Sequence, residues 1–139
     1  MKKRIVIIIS VFVATILMIG FVLYTNIPTN PIYNVIGEDV EEIMLSVSGD
    51  YYYVTEPEDI NEIILQLHEM KLYKRLYNPN VDGFSYMLDI KLTSEETISM
   101  YNISEEKLVI NGKLYDMSEN DVGILEVLYN RFSKKYTIN

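Results

Sequence analysis

From Ile5 to Tyr24 the chain runs through roughly 20 apolar and small residues with no ionisable side chain before the final tyrosine. At a helical rise of ~1.5 Å per residue such a run spans the ~30 Å hydrocarbon core of a bilayer. Lys2, Lys3 and Arg4 stand immediately before it and no comparable basic cluster follows it, so the positive-inside bias predicts a cytoplasmic N-terminus. Everything from about Asn26 onward is then expected outside, at the outer face of the cell membrane. A cleaved secretory signal begins in the same way, but its apolar core is usually ~7 to 15 residues long and ends at a small-residue site. Leu23, Tyr24 and Thr25 match such a site poorly, so a retained anchor is the expectation and secretion after cleavage is the alternative. The chain divides accordingly into a cytoplasmic stub (1–4), a transmembrane anchor (5–24), a linker (25–40) and an extracytoplasmic domain (41–139).

About 100 residues beyond the linker suffice for one compact domain with a single core. Setting aside the three leading basic residues leaves nine basic against twenty acidic side chains outside, a net charge of −11. That field disfavours nucleic acid and anionic lipid as partners, since both need a basic footprint, and it favours solubility or a cationic partner. The chain has no cysteine. Disulfides therefore contribute nothing to stability, and the thiol that a lipoprotein anchor requires is missing.

Pro28 and Pro31 among Asn, Thr and Ile make 25–40 read as a short extended spacer, because proline blocks helix continuation. Period-two alternation then begins, with Ile43, Leu45 and Val47 against Met44, Ser46 and Ser48, the sign of a half-buried strand. Gly49-Asp50 turns the chain and Tyr51 to Val54 should pair back as a hairpin. Thr55 and Glu58 match a capping box, and Ile60, Ile63, Ile64, Leu67 and Met70 follow on one helical face. Leu72 to Tyr77 reads as a further strand, and 78–83 as a loop. Phe84 to Thr93 alternates throughout, placing Leu88 and Ile90 inward and Met87 and Asp89 outward. Thr97 to Ile103, Lys107 to Ile110 and Lys113 to Tyr115 complete a meander, the last pair joined by Asn111-Gly112, a type I′ hairpin signal. Ser118 and Asp121 resemble a second capping box, followed by Val122, Leu125, Leu128, Tyr129 and Phe132 at helical spacing. The expected fold class is α+β: an N-terminal transmembrane helix plus one two-layer domain, with two amphipathic helices on an antiparallel sheet.

The order of strands and helices over Tyr51 to Tyr136 resembles the TATA-binding-protein-like layout. The resemblance implies a fold only, since no feature of a DNA-binding saddle is present and the charge has the wrong sign. The basic start, single anchor and cysteine-free acidic domain also resemble the small single-anchor surface proteins of low-GC Gram-positive bacteria. That similarity implies no activity.

Tyr51, Tyr52, Tyr53, Tyr73 and Tyr77, together with Tyr86 and Tyr101, supply flat amphipathic rings suited to glycan or peptide, although tyrosine is also a good strand former. Alternation sets Tyr52 opposite to Tyr51 and Tyr53, so at least one ring should face outward. His68 is the sole histidine, and nothing near it in sequence would activate it, so it reads as a helix-surface residue and no metal site is expected. Asn78, Asn80, Asp82 and Asp89 partly match a calcium loop, with Asn78 where an anionic residue is usual. The same residues form turns in their own right. The pairs Glu41-Glu42, Glu95-Glu96 and Glu105-Glu106 sit at strand starts and turns, where neighbours diverge, and do not make acid-base dyads. No serine lies in a nucleophile-elbow context. The chain is therefore expected to be no enzyme and to need no cofactor. It reads as a membrane-anchored binding or regulatory module, monomeric, with a protein or peptide partner. The alternative is an inhibitor or immunity-type domain that captures a cationic peptide or exported protein, and a hydrolase ranks third.

Overall fold

The computed structural model describes residues 2–76, 83 and 85–136. Helix α1 (Lys2–Asn26) carries the apolar run, and its large side chains are exposed from Ile5 to Tyr24. It is long and apolar enough to cross a membrane. The last turn passes straight into the following segment, with Ile27 N–H donating to Leu23 O at 3.0 Å.

Residues 27–40, expected as a spacer, are docked on the domain. Thr29 and Leu72 form an antiparallel bridge, with N–H to O distances of 2.7 and 3.2 Å. Ile32 is fully buried in the core. The Asn30 amide donates to the carbonyls of Leu67, His68 and Met70 at 2.7, 3.0 and 3.1 Å, while its Oδ1 accepts from Ile32 N–H at 3.0 Å. These bonds have a clear cause. The last carbonyls of any helix lack intrahelical donors, no glycine closes α2 (Pro57–His68), and Asn30 supplies the donors from a remote stretch. A 3₁₀ turn at Gly37–Asp39 then lies so close to α2 that a Cβ on Gly37 would strike the Asn61 side chain.

The strands are β1 (Val40–Val47), β2 (Asp50–Val54), β3 (Leu72–Lys74), β4 (Tyr86–Leu92), β5 (Thr97–Ser104), β6 (Lys107–Ile110) and β7 (Lys113–Met117). They form one seven-stranded sheet in the order β2-β1-β4-β5-β6-β7-β3, antiparallel at every pairing. The first hairpin and the meander are thus joined through β1 and β4, and β3 closes the far edge beside β7. Ser48 and Gly49 of the first turn, and Asn111 and Gly112 of the last hairpin, have positive φ, as two-residue turns between twisted strands require.

One face of the sheet is core. Leu45, Leu88, Met100 and Ile110 lie side by side across four strands and are covered by Ile60, Ile63, Ile64 and Leu67 of α2 and by Leu125, Leu128 and Phe132 of α3 (Ile124–Ser133). The observed caps differ from the expected ones. Glu56 precedes α2 without a side-chain bond and Pro57 takes the first helical position, where a missing N–H is harmless and φ is already suitable. That shifts the start one residue beyond the Thr55 capping box. Ser118 donates to Asp121 Oδ2 at 2.5 Å, but this bond closes a turn, and α3 begins only after Gly123 in the left-handed region at φ 77°. Val122 consequently lies outside the helix and is exposed.

If 27–32 belongs to the domain, single changes there should register as loss of global stability. Ile32→Ala should cost ~2 to 5 kcal/mol and Asn30→Ala ~1 to 3 kcal/mol, read from the midpoint of urea unfolding. Unchanged midpoints would show that this stretch is a free spacer.

Candidate binding surface

The face of the sheet turned away from α2 and α3 carries two rungs of side chains set by strand register. One runs Tyr53, Met44, Asp89, Ser99 across β2, β1, β4 and β5. The next runs Tyr51, Ser46, Met87, Tyr101, Val109, Leu114 as far as β7. Tyr51 and Tyr53 are 48% and 45% exposed, and their rings meet edge to face at 5.7 Å. They stand on β2, which among the described residues is paired only on its β1 side.

Asp89 lies about two strand spacings, or ~10 Å, in from Tyr53. Its Oδ1 is buried and has no hydrogen-bond donor among the described residues. A buried carboxylate oxygen left unpaired is costly, and a ligand's N–H or ammonium group would relieve that cost. Lys91, two residues along β4, is engaged elsewhere, 3.0 Å from Glu41 and 3.7 Å from Glu42. Asp89 is visible in the sequence as an outward-facing charge in the middle of the most regular strand and as a twelfth calcium-loop position, but neither reading marks it as lacking a partner. Asn78, Asn80 and Asp82 of that loop, and Tyr77, lie outside the described residues. Among the described residues no cluster of His, Cys, Asp and Glu could hold a metal ion.

Tyr101 shares the outward rung of Tyr51, three strands in, and the other described tyrosines of the sequence reading do not join the pair. Tyr52 points to the helices, is 4% exposed and donates to Tyr129 O at 2.6 Å, and burial pushes its phenol well above the ordinary range. Tyr86 also faces the helices, with its ring 5.7 Å from that of Tyr129. Tyr73 shares the outward face but sits on β3, at the opposite edge of the sheet. His68 Nε2 lies 2.7 Å from Val35 O, which its N–H tautomer bonds, and its ring packs 5.7 Å from Tyr33. It fastens the docked segment to α2.

Behind the sheet, Asp59 Oδ2 at the start of α2 accepts from Lys135 Nζ and from the Tyr136 hydroxyl, each at 2.5 Å. Tyr136 stacks on Tyr52 at 6.3 Å with a 10° interplanar angle. The Lys135 bond, then the Tyr136 bond, hold the Asp59 carboxyl below the usual carboxylate range. Burial, reinforced by Asp59, pushes the Tyr136 phenol up to about 12. The cluster ties α2 to the end of α3, beneath the strand that carries the exposed tyrosines. No family model, curated protein or solved structure matches this chain.

Because folding lowers the pKa of Asp59, its contribution is fully present above the unfolded value of ~3.9 and is lost as pH falls through the folded value. Thermal unfolding followed against pH should show stability declining below about pH 4, and Asp59→Asn should flatten that decline. An identical acid limb in the variant would remove Asp59 from this role.

Proposed function

We propose that this chain is a binding or regulatory module held by α1 in the cell membrane, with its N-terminus in the cytoplasm and its α+β domain outside. The length of the apolar helix and the Lys2-Lys3-Arg4 start support the anchor and its orientation. Recognition falls to the β2 edge and the adjoining outward face of β1 and β4. An extended segment pairing with β2 would gain main-chain hydrogen bonds, and its alternate side chains would lie against Tyr51, Tyr53 and Met44. The observation that carries this reading is the exposed tyrosine pair on an unpaired edge, one rung of which leads to the unsatisfied oxygen of Asp89.

The same oxygen favours a cationic segment, as does the −11 charge outside the membrane. That favours the narrower role of an inhibitor or immunity-type domain that captures a cationic peptide or exported protein. A hydrolytic role finds less support. The ring nitrogen of His68 bonds a backbone carbonyl, and no serine is its partner among the described residues.

A photo-crosslinking amino acid placed at Tyr53, and in a parallel strain at the exposed Leu65 of α2, would test the surface in intact membranes. Adducts are expected from the first position and not the second. For a lysine-bearing peptide selected against the domain, Asp89→Asn should weaken binding by about tenfold, the loss of one charge-assisted bond of ~1.5 kcal/mol, without lowering thermal stability. Equal adducts at both sites, or unchanged affinity in Asp89→Asn, would refute the assignment.

A further inference from the structure

The negative charge of the domain is not evenly spread, and its exception lies where α1 meets the sheet. Two recesses of about 260 and 330 Å³ flank the last turns of α1, lined by Phe21 and Thr25 on one side and by Tyr24 on the other. Their sheet-side walls bring together Lys74 at the end of β3, Arg75 just beyond it, Lys107 of β6 and Lys113 of β7, with Asp116 as the one carboxylate lining either recess among the described residues. Asp116 is bonded to Arg75. Lys74 Nζ sits 5.3 Å from the Tyr24 ring centroid, and neither Lys107 nor Lys113 has a carboxylate partner among the described residues. Leu76, common to both recesses, is 65% exposed beside this cationic rim.

We infer that this junction is a binding site for the headgroups of anionic glycerophospholipids in the outer leaflet, with Leu76 inserted among the acyl chains. The inference rests on α1 being a membrane anchor. An apolar run from Ile5 to Tyr24 fills the hydrocarbon core, so Phe21 and Tyr24 lie at its outer boundary and the residues beside them at headgroup depth. Four cations against one carboxylate leave a local charge of +3 where lipid phosphates are densest, within a domain that is otherwise strongly acidic. An exposed leucine within that rim matches a surface seated on lipid, since the acyl boundary accepts the apolar side chain and the phosphates accept the amines. The overall charge therefore does not exclude anionic lipid. It confines lipid to one edge and turns the acidic remainder away from the bilayer.

The chain contains no tryptophan, so Leu76→Trp introduces a single indole reporter into the full-length protein. Reconstituted in lipid nanodiscs, the reporter should show blue-shifted emission and loss of intensity to brominated acyl chains when phosphatidylglycerol is present, and much smaller effects in pure phosphatidylcholine. Adding Lys74→Gln, Lys107→Gln and Lys113→Gln should abolish the difference between the two lipids. Glycerophosphate added to phosphatidylcholine discs should leave the emission unchanged, and a shift there would make a soluble phosphate the ligand and overturn the lipid assignment. Equal responses in both discs, with the protein co-eluting with each, would overturn the inference and leave the anchor standing. Failure to co-elute with either disc would overturn the anchor and the inference together.

Discussion

One side-chain amide, that of Asn30, connects the two halves of this protein. It reaches three carbonyls at the end of α2 from a point four residues beyond α1, and its own oxygen turns the chain so that Ile32 enters the core. A helix end without a glycine cap must find donors somewhere, and here the stretch between helix and domain provides them. The consequence is mechanical. The Thr29–Leu72 bridge, the Asn30 cap and the His68–Val35 bond dock the stretch between α1 and the sheet, which predicts that the helix and the domain move as one body.

That attachment decides what each edge of the sheet encounters. The β3 edge lies beside α1, where Lys74 packs on Tyr24, while the β2 edge lies six strand spacings away, or ~29 Å. Between them the sheet is two-faced. Its inner face buries aliphatic side chains under α2 and α3, and its outer face carries the tyrosine pair and Asp89. Asp59 with Lys135 and Tyr136 locks the two helices behind β2, and Tyr52 continues that packing into the strand itself. An edge strand braced from behind presents its free side with little conformational freedom left to lose on binding.

Much of this was legible in the sequence, because period-two and period-3.6 patterns are local. The alternation of Phe84 to Thr93 marked β4 and its inward pair Leu88 and Ile90, and Asn111-Gly112 marked the last hairpin. Non-local features were not legible. Nothing near Asn30 indicates that it will cap a helix some 37 residues away, so two prolines read as a spacer where the chain is docked. The capping boxes failed for local reasons of competing strength: Pro57 sets the start of α2, and Gly123, in the left-handed region, delays the start of α3 beyond Ser118. Of the tyrosines, alternation separated Tyr52 from Tyr51 and Tyr53, but the placement of Tyr73 on the far edge needed the strand order. Net charge was silent on placement in a similar way, because a sum over the domain does not show that Lys74, Arg75, Lys107 and Lys113 gather at one junction.

The rigid seating of the domain on α1 is the central claim, and the absence of cysteine makes it directly measurable. With spin labels on Leu17→Cys in α1 and Asn130→Cys in α3, both exposed positions, pulsed electron paramagnetic resonance on the full-length protein in nanodiscs reads the distance distribution between helix and domain. A single narrow distribution is the predicted result, broadening when Asn30→Ala and Ile32→Ala are added. A broad distribution in the otherwise unaltered chain would mean that the domain swings on a flexible tether, contradicting the account.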